Sequence, residues 1–141
     1  MSARFFMDSN ILLYGFDKTD FRKKVIAEKL VEQALEKGSG VISYQVCQEF
    51  CNVLLHKIEP RISVADLADY LEAVVFRLIA IHSSAALFRE ALRIHQETQY
   101  RFYDCLIVAA ALEAGVSILY SEDLQEGRRF GEMEVVNPFR E

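Results

Sequence analysis

Proline occurs twice, glycine six times and cysteine three times in 141 residues, and no long apolar run or excess of positive charge is present. So few prolines and glycines leave no room for a low-complexity linker. Cys47, Cys51 and Cys105 cannot form an even disulfide set, and the i, i+4 spacing of Cys47 and Cys51 in an apolar stretch points to buried, reduced thiols. A zinc knuckle would need Cys-x-x-Cys, and His56, His82 and His95 are scattered. The longest apolar run, Cys105–Leu112, falls far below the roughly 18 residues of a membrane helix, and no secretory pattern precedes Met7, so a soluble, cytoplasmic protein is expected. With 16 basic against 21 acidic residues and a net charge of −5, nonspecific charge cannot hold a nucleic acid. Any such contact must be local or metal-assisted.

What is present is apolar content: 52% of residues are hydrophobic, enough for one compact domain over residues 1–141. Arg4 to Met7 reads as a buried strand stopping at Asp8 in a polar loop. From Thr19 to Lys37 the spacing of Val25, Ile26, Leu30, Val31, Ala34 and Leu35 predicts an amphipathic helix ended by Gly38. Val41 and Ile42 form a brief strand, and Ser43 caps a helix to about His56. Ser63 to Asp66 resembles a capping box opening another helix. Leu78 to Ile81 reads as a strand, Ser84 to Gln96 as a helix, and Tyr103 to Ala114 as a helix so apolar that it must be buried on most sides. Val116 to Tyr120 and Glu134 to Val136 are strands, the last at an edge. Alternation of strand and helix predicts an α/β fold whose mainly parallel sheet, of about five strands, is covered on both faces. In such sheets ligands bind at the carboxyl ends of the strands.

The acidic residues fall unevenly. Asp8 is the only acid in residues 1–16, Glu49 the only one in 38–58 and Asp104 the only one in 99–112. Those segments make up over a third of the chain yet hold three of its 21 acids. A carboxylate isolated among apolar neighbours costs desolvation energy unless something pairs with it. Like charges about 4 Å apart repel by roughly 4 kcal/mol at an effective dielectric near 20, so converging carboxylates need cations or retained protons. Mg²⁺ or Mn²⁺, which prefer oxygen ligands, fit such a set. Taken singly, Asp8-Ser9-Asn10 is also turn chemistry, Asp104 a first-turn helix acid, and Asp123, beside Glu122, ordinary turn composition. Gln45, Glu49, Asn52 and His56 share one polar strip of their helix, as a solvated face also would.

Phe6-Met7-Asp8-Ser9-Asn10, Glu49 within Ser43–Phe50, Tyr103-Asp104 opening the buried helix, Ser121-Glu122-Asp123-Leu124-Gln125 and Val136-Asn137-Pro138-Phe139 occur in an order and spacing that resemble the PIN-domain family, in particular its VapC-type toxin ribonucleases. That resemblance implies a three-layer α/β/α fold with a metal-binding acidic pocket at one rim of its parallel sheet, and an endonuclease acting on RNA that leaves 5′-phosphate and 3′-hydroxyl ends. It implies that Asp8, Glu49, Asp104 and Asp123 hold Mg²⁺ or Mn²⁺ directly or through water, with Asn10 and Ser121 orienting them. Asp123 is preferred to Glu122 as the fourth acid because the family's hydroxyl-x-acid spacing begins at Ser121. An antitoxin partner and a homodimer are further implications. Arg22, Lys23, Lys24, Arg101, Arg128 and Arg129 are candidates for RNA contacts, or members of a solvated face.

Two other readings compete. A catalytically idle PIN-like module would bind RNA or protein without cutting. An aspartyl-phosphate phosphatase or receiver-like domain would need Asp-x-Asp or a late lysine, where this chain has Asp8-Ser9-Asn10 and Ser121-Glu122-Asp123. Gly38-Ser39-Gly40 precedes its strand and lacks the third glycine of a nucleotide loop.

Overall fold

The computed structural model describes residues 3–140. Strand β1 (Phe5–Met7) is wholly buried, and helix α1 (Ser9–Tyr14) follows it at once, capped by the Asp8 carboxylate. Helix α2 (Phe21–Lys37) leads to β2 (Gly40–Ser43), and α3 (Tyr44–His56) starts on the Ser43 hydroxyl, as the sequence suggested. Then come α4 (Val64–Tyr70), a π-helical stretch (Leu71–Val75), α5 (Phe76–Leu78) and β3 (Ile79–Ile81). The second half contains α6 (Ala85–Thr98), α7 (Phe102–Glu113), β4 (Ile118–Tyr120), β5 (Arg129–Phe130) and β6 (Met133–Val136).

The strands form one sheet in the order β3-β2-β1-β4-β6-β5, parallel except for the β5–β6 hairpin. Six strands, not about five, are therefore present. The final strand is not at the edge as expected: β6 pairs with β4 on one side and β5 on the other. From β1 the chain steps outward through β2 to β3, then returns across the sheet to β4 on the other side of β1. Right-handed crossovers put α1–α5 on one face and α6–α7 on the other, giving the α/β/α layers. The chain direction reverses between β1 and β4, so the crevice for a ligand opens there, at their carboxyl ends.

Packing holds this arrangement tightly. In α7, Cys105 through Ala111 are all buried, as its apolar composition required. Gly40 brings α2 close to the sheet: a Cβ there would lie 2.4 Å from the Ala34 Cβ and 2.6 Å from the Phe5 ring. Gly38, with φ +62°, ends α2 in the left-handed conformation that glycine adopts without steric cost. The three thiols are free, and burial pushes the Cys47 thiol up to about 11. Among the described residues no helix is long and apolar enough to cross a membrane.

Candidate active site

Strand register builds the centre of the site. Met7 pairs with Tyr120, so Asp8 and Ser121, one residue beyond each strand, come to lie side by side. The Asp8 amide donates to the Tyr120 carbonyl at 3.0 Å, and Ser121 Oγ donates to Asp8 Oδ2 at 2.8 Å. The other Asp8 oxygen accepts from the Ser9 amide at 2.7 Å. Ser121 Oγ itself accepts the amides of Asp123 and Leu124 at 3.2 and 3.3 Å, which fixes the loop after β4. Asp8 is 5% exposed. Burial raises its carboxyl to about 7, the hydrogen bonds from Ser121 and Ser9 pull it back, and the charges of Glu49 and Asp123 add to the rise.

Three further acids face the same space from other elements. Glu49, on α3, accepts from Ser9 Oγ at 3.0 Å and from Gln45 Nε2 at 2.7 Å. The Gln45 amide also reaches the Tyr103 carbonyl at 3.2 Å, tying α3 to the start of α7. Asp104, in the first turn of α7, lies 3.5 Å from Arg101 Nε. Asp123 accepts from Asn10 Nδ2 at 3.1 Å. Together Asp8, Glu49, Asp104 and Asp123 line one cleft of about 560 Å³ with Asn52, Lys57, Arg101, Tyr103 and Ile107. Among the described residues no three His, Cys, Asp or Glu side chains stand together closely enough to hold a metal ion as they are placed.

The two neighbouring acids after β4 part company. Asp123 lines the acidic cleft, whereas Glu122 turns to α1 and α2, where Tyr14 and Lys23 donate to it. Asn10 ties both together, accepting from the Glu122 amide at 3.4 Å while donating to Asp123. Of the six basic residues singled out in the sequence, only Arg101 lines the cleft. Arg22 donates to the Phe139 carbonyl, Lys23 pairs with Glu122, and Lys24 pairs with Glu28 at 3.2 Å. Arg129 pairs with Glu134 at 3.3 Å, and Arg128 lies over the Phe130 ring. Lys57, which sequence reasoning passed over, lines the cleft instead. It is the non-helical residue that ends α3, so no helical spacing from Glu49 pointed to it.

An α/β domain with an acidic cleft at the switch point of a parallel sheet is thus defined by geometry. The chain belongs to the PIN-domain family: the model of that domain matches residues 5–129. Among solved structures it is similar to the toxin VapC20 of Mycobacterium tuberculosis, described as cleaving the sarcin-ricin loop. That likeness has 21% identity and a TM-score of 0.62, and covers 84% of this chain and 89% of the other, which shows a shared fold. No curated protein sequence matches.

Proposed function

We propose that this protein, one PIN domain over residues 1–141, is a divalent-metal-dependent endoribonuclease and the toxin of a toxin–antitoxin pair. The observation that carries the reading is the convergence of Asp8, Glu49, Asp104 and Asp123, from four separate segments, on one cleft that also presents Lys57 and Arg101. The donor set suits Mg²⁺ or Mn²⁺: four carboxylates, no thiol or imidazole in the lining, and a buried Asp8 whose carboxyl is raised first by burial and then by the charges of Glu49 and Asp123. Such an ion, when bound, supplies charge neutralisation at the phosphate and a more acidic water.

The chain's own residues set up that chemistry. Ser121 and the Ser9 amide orient Asp8, Gln45 and Ser9 Oγ orient Glu49, and Asn10 orients Asp123. Lys57 and Arg101, both in the cleft lining, offer positive charge to the phosphates of a bound strand. The structurally similar toxin VapC20 is described as cleaving the sarcin-ricin loop. An RNA substrate, an antitoxin partner and a homodimer belong to the same reading here, and a cytoplasmic location accords with it.

Cleavage of a labelled RNA pool by wild type and by Asp8→Asn, each with Mg²⁺, Mn²⁺ or EDTA, tests the proposal. Cleavage by the wild type that EDTA abolishes and Asp8→Asn loses is the expected result. Equal cleavage by both proteins would sink the mechanism.

A further inference from the structure

Beside the acidic cleft lies an aromatic ledge that none of the roles above uses. Tyr103 is 71% exposed, although its neighbours Cys105 to Ala111 are buried, and it lines both the cleft and an adjoining hollow of about 140 Å³. Tyr44 and Phe88, about half exposed, line that hollow with His82. The rings form two linked groups: Tyr44 lies 5.9 Å from His82 at a 35° tilt, while Phe88, Phe102 and Tyr103 follow one another at 5.7 and 6.1 Å. Gln45 and Gln48 add amide groups to the lining.

Rings exposed side by side in this way form a contiguous apolar patch, which gains free energy when a partner covers it. An unpaired nucleobase is the occupant the surroundings favour. The ledge is continuous with a cleft that carries the two cations suited to phosphates, and Gln45 joins the two by bonding both Glu49 and the Tyr103 carbonyl. Planar rings with flanking amides are the means by which proteins hold splayed bases of single-stranded RNA. We infer that Tyr103, with Tyr44, His82 and Phe88, forms a nucleobase-stacking subsite beside the acidic cleft, so that the protein selects RNA with an unpaired base next to the bond to be cut. The subsite deepens the ribonuclease reading and rests on it for the bond that is cleaved.

The test measures equilibrium binding, which requires no cleavage. A short single-stranded RNA carrying one 2-aminopurine is titrated with full-length wild type, Tyr103→Phe and Tyr103→Ala in Ca²⁺, with the same RNA annealed into a duplex as comparison. Wild type should bind the single strand more tightly than the duplex and quench the fluorescent base by stacking. Tyr103→Ala should weaken single-strand binding by about five- to a hundredfold and remove the quench, whereas Tyr103→Phe, which keeps the ring, should retain both. Thermal melting of the three proteins checks that the exposed substitution leaves the fold intact. Equal affinity of Tyr103→Ala and wild type overturns the inference, as does wild type that binds no single-stranded RNA. A change in oligomeric state in Tyr103→Ala without loss of RNA affinity also overturns it, by making the ledge a protein contact. Stacking without any cleavage in Mg²⁺ or Mn²⁺ would instead leave the subsite standing and remove the nuclease.

Discussion

The proton on Asp8 gives the sharpest prediction. Its carboxyl is raised to about 7 in the folded protein, against about 3.9 in an unfolded chain. Below pH 4 both states hold the proton and Asp8 is neutral to stability. Between pH 4 and 7 the unfolded chain has released the proton while the folded one keeps it, so the folded state binds more protons and loses stability as pH rises. Above pH 7 the loss is complete, at about 3 × 1.36, or roughly 4 kcal/mol. Asp8→Asn removes that penalty but also disturbs the bond from Ser121, whose oxygen already accepts two amides. The offset is on the order of 1–2 kcal/mol. In metal-free buffer the variant should therefore be more stable than wild type by about 2 kcal/mol at pH 8 and less stable at pH 4, with the curves crossing between. Urea unfolding across that range reads the difference. The same group predicts linked protons: a cation that needs ionised Asp8 should release about half a proton at pH 7, about 0.9 at pH 6 and almost none at pH 8.5. Calorimetric titration of Mn²⁺ in buffers of different ionisation enthalpy measures this. Release that does not vary with pH, or that persists in Asp8→Asn, would refute the account of Asp8 as a desolvated carboxylate awaiting a cation.

Two other substitutions probe separate parts of the argument. Glu122→Gln should leave RNA cleavage within a few fold, because Glu122 is held by Tyr14 and Lys23 away from the acidic cleft, whereas Asp123→Asn should cost at least about tenfold. The reverse order in initial rates would make Glu122 the fourth acid. Gly40→Ala should lower the unfolding free energy by about 1–3 kcal/mol, since its methyl group would overlap Ala34 and the Phe5 ring. An unchanged urea midpoint would contradict the close packing of α2 on the sheet.

The sequence carried the site better than it carried the smallest elements. Asp8, Glu49 and Asp104 stood out because a lone acid in an apolar segment needs a reason, and all three line one cleft. Helix α7 was legible because its side chains are apolar all round, a pattern only a buried helix tolerates. Helix α1 was read as a loop: its six residues span less than two turns, too few for a period to emerge, and Asp8-Ser9-Asn10 signals a turn as strongly as a cap. Strand β5 was missed because two residues give no alternation, and with it went the position of β6. The split between Glu122 and Asp123 lay outside local reasoning altogether. It depends on Lys23 and Tyr14, about a hundred residues earlier, which meet Glu122 only once the sheet is formed.

Charge explains why such a protein would need an ion to meet RNA. The overall charge is −5, and Lys23, Lys24 and Arg129 are matched to carboxylates of the same chain away from the cleft. With Asp8 ionised, the cleft lining carries four carboxylates against Lys57 and Arg101, a formal charge of −2. A phosphate approaching that lining would be repelled, and screening at physiological salt acts only beyond about 8 Å. One divalent ion brings the lining to neutrality, frees Arg101 from its pairing with Asp104, and leaves both cations as contacts for the backbone. The raised carboxyl of Asp8 belongs to the same picture: burial is the main reason it keeps a proton, the charges of Glu49 and Asp123 add to it, and a bound cation would oppose both.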